Sequence, residues 1–296
     1  MKAWIDAARP RTLPLAIAGI LLGLIPSASQ EVPFLEALLT ILTAVGLQIM
    51  SNFANDLGDA QNGADQHRTK GPSRAVQSGE LSAAAMKKAV IISGVISFLL
   101  GLILLYFTLI QPGMWLTFAL FMLMGCAGIW AAYHYTAGSN PYGYRGWGDV
   151  SVFVFFGLVA VMGTHVLIYK EWNSSILVLA IMQGALSAMV LHLNNMRDFE
   201  DDQKAGKVTL AIKMGWNGSA RYFVSLGLLA LSMLIVFLWN CNHPYSALAL
   251  TPWLILIVLL NKVRKANAET KLDGDLKKVA LSSFFIALCL FLTSIL

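Results

Sequence analysis

Val90-Ile91-Ile92-Ser93-Gly94-Val95-Ile96-Ser97-Phe98-Leu99-Leu100-Gly101-Leu102-Ile103-Leu104-Leu105-Tyr106-Phe107-Thr108-Leu109-Ile110 carries no charged residue. A bilayer core about 30 Å thick is crossed by a helix of about 20 apolar residues, so this stretch reads as a membrane span. The pattern repeats outward from it. With the run 84–110 that encloses the quoted stretch, apolar runs at 13–29, 34–57, 114–136, 148–169, 174–197, 218–239, 246–262 and 278–296 make nine. Short loops join them and leave no room for a soluble domain. The 296 residues are 57% hydrophobic and 12% charged, with a mean hydropathy of +0.67. Soluble domains carry about 25% charged residues. The chain therefore reads as all-α: one polytopic membrane domain over 1–296, with nine transmembrane helices in a bundle.

Composition excludes several function classes. A soluble enzyme and a disordered chain do not fit these runs. The net charge of +5 invites a nucleic-acid reading, but apolar runs separate the charges and leave no basic face. Cys126 and Cys289 sit in apolar runs and Cys241 in a short loop, with no CxxC pair, so disulfides and zinc are not expected. Met1-Lys2-Ala3-Trp4-Ile5-Asp6 lacks the form of a cleavable leader, so the first apolar run is read as a retained helix.

Lys and Arg divide sharply between the two ends of the bundle. Twenty of the 21 fall in the N-terminus, in the loops after the second, fourth and sixth runs and the run ends that flank them, and in the segment around the loop before the ninth; Lys170 alone falls on the other side. By the positive-inside rule the N-terminus is cytoplasmic and, after nine spans, the C-terminus is outside. The long polar loops are all cytoplasmic, which puts the expected active site at that face.

Two acidic clusters end runs that point toward the cytoplasm. The first is Asn55-Asp56-Leu57-Gly58-Asp59; the second is Asn194-Asn195-Met196-Arg197-Asp198-Phe199-Glu200-Asp201-Asp202. Each holds Asn-x3-Asp, and the second continues to Asp202. Residues four apart share a helix face, so each motif aims its oxygens in one direction. Helix C-termini already carry partial negative charge, and acids at a membrane edge facing a bundle interior point to function. Oxygen donors without His or Cys match a hard cation such as Mg²⁺, which shares its coordination with a substrate phosphate. Cations follow both clusters: Arg68, Lys70 and Arg74 after the first, Lys207 after the second. Acids that hold a metal, flanked by cations, form a clamp for a diphosphate.

These motifs resemble the paired Asp-rich motifs of the UbiA-type intramembrane prenyltransferases, and the likeness extends over nearly the whole chain. Ala8-Arg9-Pro10-Arg11-Thr12-Leu13-Pro14, Gly71-Pro72-Ser73-Arg74-Ala75-Val76-Gln77-Ser78-Gly79, Asn140-Pro141-Tyr142-Gly143-Tyr144-Arg145-Gly146 and Ala205-Gly206-Lys207-Val208-Thr209-Leu210-Ala211 resemble the branch that prenylates 1,4-dihydroxy-2-naphthoate in menaquinone biosynthesis. The resemblance implies an enzyme of the bacterial inner membrane whose substrates are a polyprenyl diphosphate and 1,4-dihydroxy-2-naphthoate. It implies Mg²⁺ held at Asn55, Asp59, Asp198 and Asp202, with Asp56, Asn194 and Asn195 completing the catalytic set. Arg68, Arg74 and Lys207 are candidates for the diphosphate. Tyr135, Tyr142, Tyr144 and Arg145 are candidates for orienting either substrate, against a competing role as an interfacial aromatic belt. Many relatives carry a further Asp where this chain has Gly63, and Asp65 stands two residues later as a substitute. Hydroxybenzoate or homogentisate stays open as the acceptor. A secondary transporter is the alternative from another class, although transporter sites lie near the bilayer midplane. A phosphotransferase acting on CDP-alcohols would need its acids in one continuous motif.

Overall fold

A computed structural model describes residues 1–27, 30–64, 74–241, 243–267 and 270–296. Every regular element among them is helical: α1 (Lys2–Ala8), α2 (Leu13–Gly23), α3 (Phe34–Gln61), α4 (Ala83–Ile110), α5 (Trp115–His134), α6 (Gly148–Tyr169), α7 (Ser174–Arg197), α8 (Phe199–Lys204), α9 (Leu210–Asn240), α10 (Trp253–Arg264) and α11 (Asp275–Ser294). Eight helices among the described residues are long and apolar enough to cross a membrane.

The first apolar run differs from its expected length of 13–29. Its helix stops at Gly23, two residues short of Ile25-Pro26, because proline cannot extend a helix. A helix end inside a bilayer must have its carbonyls satisfied. Here His165 hydrogen-bonds the Gly23 carbonyl at 3.3 Å and Tyr169 donates to the Leu24 carbonyl at 2.7 Å. At its other end Thr12 bonds Gln48 and Asn52, while Ile20 and Leu24 pack beside Ala37. α2 therefore runs along α3 from Asn52 toward Ala37 and carries the chain through the bundle on a short, capped helix.

α7 is the axis. Its buried residues fall on all sides, as expected of a helix enclosed by others, and α2, α6, α9 and α11 pack around it. The α6–α7 contact is backbone-close: a Cβ on Gly157 would lie 2.6 Å from the Ala180 carbonyl, and one on Gly184 would lie 2.9 Å from that of Phe153. Small residues that let backbones approach are the common device of helix packing in membranes. Gln183, fully buried on α7, accepts from Ser283 of α11 at 2.8 Å and donates to the Leu15 carbonyl of α2 at 3.2 Å, so one amide joins three helices. α9 bends at Gly215, whose φ of 65° suits glycine.

α3 and α4 form a second pair, and α5 lies at the periphery with only Ala131 buried. Outward faces of α4 and α10 expose Ile91, Ile92, Val95, Leu254 and Val258, the surface lipid would cover. Trp115, Trp172 and Trp239 are exposed at one end of the bundle, Trp130 and Trp147 at the other, as in the aromatic belts of membrane proteins.

Candidate active site

The C-terminal ends of α3 and α7 meet at the mouth of a cavity of about 470 Å³. Asn55 and Asp59 of α3, Asn194 and Asn195 of α7, and Asp198 and Asp202 just beyond it all line this cavity. On α3 the lining runs from Thr40 to Asp59, about 28 Å at 1.5 Å per residue. Beyond the mouth the wall turns apolar, with Leu15, Ile20, Leu105, Phe121, Phe155 and Leu167.

Asp59 is the centre of the mouth and is 2% exposed. Its Oδ1 accepts from Tyr144 Oη at 2.6 Å and from Lys207 Nζ at 3.1 Å, and its Oδ2 from Arg74 at 3.3 Å. Lys207 Nζ lies also 3.4 Å from Asp202 and 4.7 Å from the centre of the Tyr144 ring, a cation over an aromatic face. Gly206 makes this reach possible: with φ 72° it ends α8 in a left-handed turn, and the Lys207 N–H returns to the Asp202 carbonyl at 2.9 Å. The Val208 N–H then bonds the Tyr144 carbonyl at 2.9 Å, which locks the two loops together.

Asp198 has both oxygens on one guanidinium: Arg197 Nε and Nη2 each donate at 2.6 Å, and Nη2 also donates to Asn194 Oδ1 at 2.9 Å. Arg197 is itself 5% exposed. Asn55 Oδ1 accepts from Thr136 at 3.1 Å. Burial pushes the Asp202 carboxyl up to about 6; Lys207 opposes this, while Asp198 and Asp59 add to it. Burial, and after it the charge of Asp149, raises the Tyr135 hydroxyl, and burial raises that of Tyr142. Among the described residues no three carboxylate, imidazole or thiol groups form a ready-made metal cage.

The other expected residues divide. Tyr135, Tyr142 and Tyr144 line the cavity. Tyr142 donates to the Ala131 carbonyl at 3.0 Å and lies 2.9 Å from Ser151, and its ring meets Tyr135 edge-on at 5.4 Å. Asp56 does not face the cavity. It is 2% exposed, and its two oxygens accept the Ala75 and Val76 N–H groups at 3.1 Å each. On the helix it points away from the Asn55–Asp59 face, and it ties α3 to the following loop. Arg145 is exposed and outside the cavity wall, its carbonyl held by Lys213. Arg68 and Asp65 lie outside the described residues.

Sequence reasoning missed Arg9, Arg11, Thr12, Gln48 and Asn52, which also line the cavity. Gln48, Asn52, Asn55 and Asp59 recur at helical spacing, a polar stripe on an otherwise apolar helix. That periodicity was the available signal. It also missed the partner of His192, which is fully buried and sits 2.8 Å from Asp149.

The model of the UbiA prenyltransferase family matches residues 16–291. The chain belongs to the UbiA prenyltransferase family. Among its relatives, the protein named 1,4-dihydroxy-2-naphthoate octaprenyltransferase of Haemophilus influenzae is 42% identical over 79% of this chain and 76% of its own length. The protein of that name from Escherichia coli is 38% identical over 90% and 84%, and that from Mycobacterium tuberculosis 34% over 96% and 94%. The fold agrees with a UbiA homologue from Archaeoglobus fulgidus solved with DMAPP and Mg²⁺, at a TM-score of 0.69 and 16% identity, covering 99% of each chain. A UbiA homologue from Aeropyrum pernix also gives 0.69, at 15% identity over 98% of this chain and 97% of its own. A UbiA-family chain with eight such helices is an integral membrane protein.

Proposed function

We propose that this UbiA-family chain transfers a polyprenyl group from polyprenyl diphosphate to 1,4-dihydroxy-2-naphthoate, releasing CO₂ and pyrophosphate and giving demethylmenaquinol. The observation that carries the reading is Lys207 between Asp59 and Asp202: it joins the two acid motifs at the polar mouth of a long apolar cavity. The acceptor rests on the relatives that bear this activity in their names.

The oxygen donors Asn55, Asp59, Asp198 and Asp202 fit Mg²⁺, which binds through one or two carboxylates and completes its shell with water and substrate phosphate. Bound there, the metal supplies positive charge against the pyrophosphate as it leaves. Arg74 and Lys207 hold and orient the diphosphate at the mouth, while Tyr144, whose one O–H goes to Asp59, fixes that carboxylate. The remaining N–H groups of the two cations donate to the diphosphate oxygens as charge develops on them. The apolar wall receives the isoprenoid tail and keeps water from the allylic cation. Tyr135 and Tyr142 border the space between mouth and wall, where the aromatic ring must stand. The allylic C–O bond breaks with its electrons leaving on the pyrophosphate, and the ring carbon then bonds to C1 of the allylic cation. The electrons of the ring–carboxylate bond return to the ring as CO₂ departs.

The chain works as one domain in the bacterial inner membrane, with the N-terminus cytoplasmic and the C-terminus outside, which sets the acid clusters facing the cytoplasm. Reporter fusions at both ends test that orientation. For the reaction, the reconstituted protein is given Mg²⁺ and a polyprenyl diphosphate with dihydroxynaphthoate, hydroxybenzoate and homogentisate in parallel. A prenylated, decarboxylated naphthoquinol by mass spectrometry is the expected product. Product from another acceptor alone moves the pathway, and none from a folded protein returns the transporter reading.

A further inference from the structure

Two arginines outside the acid clusters face the same cavity. Arg9 and Arg11 come from the turn between α1 and α2 and line the wall. The turn is strained: Arg9 has φ 52° and ψ 64°, the left-handed region that residues with a Cβ avoid. Such residues persist only where their surroundings over-determine them, and they concentrate at ligand sites. Here the surroundings are amides of α3. Asn52 donates to the Ala8 carbonyl at 2.8 Å and to Thr12 Oγ1 at 3.0 Å, and Gln48 donates to Thr12 Oγ1 at 3.2 Å. Thr12 Oγ1 in turn donates to the Arg9 carbonyl at 2.9 Å. Glycine would form this turn without strain, so it is the guanidinium that the fold retains at position 9, with Nη2 buried.

We propose that Arg9 and Arg11 form the subsite for the carboxylate of the aromatic acceptor and so select acids over rings that lack the group. This rests on the acceptor class proposed above. Asn52 precedes Asp59 by about 10 Å along α3, so the strained turn is set deeper than the cations at the mouth. The ring carbon must approach the allylic carbon to about 3–3.5 Å, beside the diphosphate rather than on it. An anionic acid placed there is repelled by the diphosphate and by Asp59, Asp198 and Asp202, and it needs a cation of its own. A guanidinium fork matches a carboxylate through two parallel bonds, and the lumen beyond is apolar and suits only the tail.

The test uses purified full-length protein and two probes offered without prenyl diphosphate, 1-hydroxy-2-naphthoate and 1-naphthol, which differ by the carboxylate. Arg11→Met changes an exposed side chain, and Arg9→Gly keeps the backbone its φ requires; thermal melts verify that both fold. Each variant is expected to weaken the naphthoate about tenfold or more, to leave 1-naphthol unchanged, and to raise KM for the acceptor without moving KM for the prenyl diphosphate. Equal weakening of both probes, or a shift confined to the prenyl diphosphate, overturns the subsite. Wild-type protein that prenylates a different aromatic acid overturns the acceptor assignment alone. The same variants must then weaken that acid, and failure to do so overturns the subsite.

Discussion

Lys207 stands 3.1 Å from Asp59 and 3.4 Å from Asp202, so one ammonium ties the end of α3 to the segment beyond α7. Both carboxylates are buried and repel each other without it. Buried charge is costly unless paired, so this side chain is structural and chemical at once: it lets two acid clusters share a mouth and presents a cation to the anionic end of the substrate.

Lys207→Met should therefore raise KM for polyprenyl diphosphate about tenfold or more and lower the melting temperature. Lys207→Arg should recover part of both. Steady-state kinetics and melts in detergent measure these, and an unchanged KM in Lys207→Met would remove the residue from the diphosphate site.

Asp198→Ala and Asp202→Ala should each abolish turnover with the protein still in the membrane, and Asp198→Ala should also lower the melting temperature because buried Arg197 loses its bidentate partner. Asp56→Ala should behave differently. It loses two hydrogen bonds to a charged acceptor, worth about 1.5–3 kcal/mol each, so its melting temperature should fall while the Mg²⁺ concentration for half-maximal activity holds. Retained activity of both Asp198 and Asp202 variants at saturating Mg²⁺ would sink the metal assignment.

The Asp202 carboxyl, pushed up to about 6 by burial, gives a pH dependence with a definite sign. Its folded value exceeds the ordinary carboxylate value of about 3.9, so protonation favours the metal-free fold. That contribution is present at low pH and is lost as pH rises through about 6. A metal needs the ionised form. The Mg²⁺ requirement should therefore climb as pH falls below about 6, by at most about tenfold per pH unit for one displaced proton. Calorimetric titrations of Mg²⁺ binding across that range check this, and a pH slope that survives in Asp202→Asn would assign it to another group.

Gly58→Ala should damage the site from within α3. A Cβ there would lie 2.5 Å from the Thr136 carbonyl carbon and 2.6 Å from the Ala137 nitrogen, both backbone, so neither can swing aside. Overpacking of this kind costs about 1–3 kcal/mol. Because Gly58 precedes Asp59, a lower melting temperature should come with a fall in kcat. A variant with wild-type stability and rate would show that α3 and the 136–137 turn can separate freely.

Some of this protein is written locally. A charge-free run such as Val90–Ile110 has one stable solution in a bilayer, because each backbone group must be satisfied within its own helix, and period and length then give the all-helical bundle. Asn55–Asp59 and Asn194–Asp198 declare a shared face through spacing alone. Lys207 was legible because Gly206 marks the turn that brings it back. Long-range packing decided the rest. Asp56 and Asp59 look equivalent in sequence, yet helical rotation turns one to the loop at Ala75–Val76 and the other to the cavity. Arg145 adjoins Tyr144 but points away from the mouth its neighbour lines. α2 could be short because His165 and Tyr169, distant in sequence, cap its end. Arg9 entered the cavity wall only when Asn52 and Gln48 pinned a strained turn. Periodicity reports which face of a helix a residue occupies; what that face meets is set by contacts between residues far apart in the chain, which no local pattern encodes.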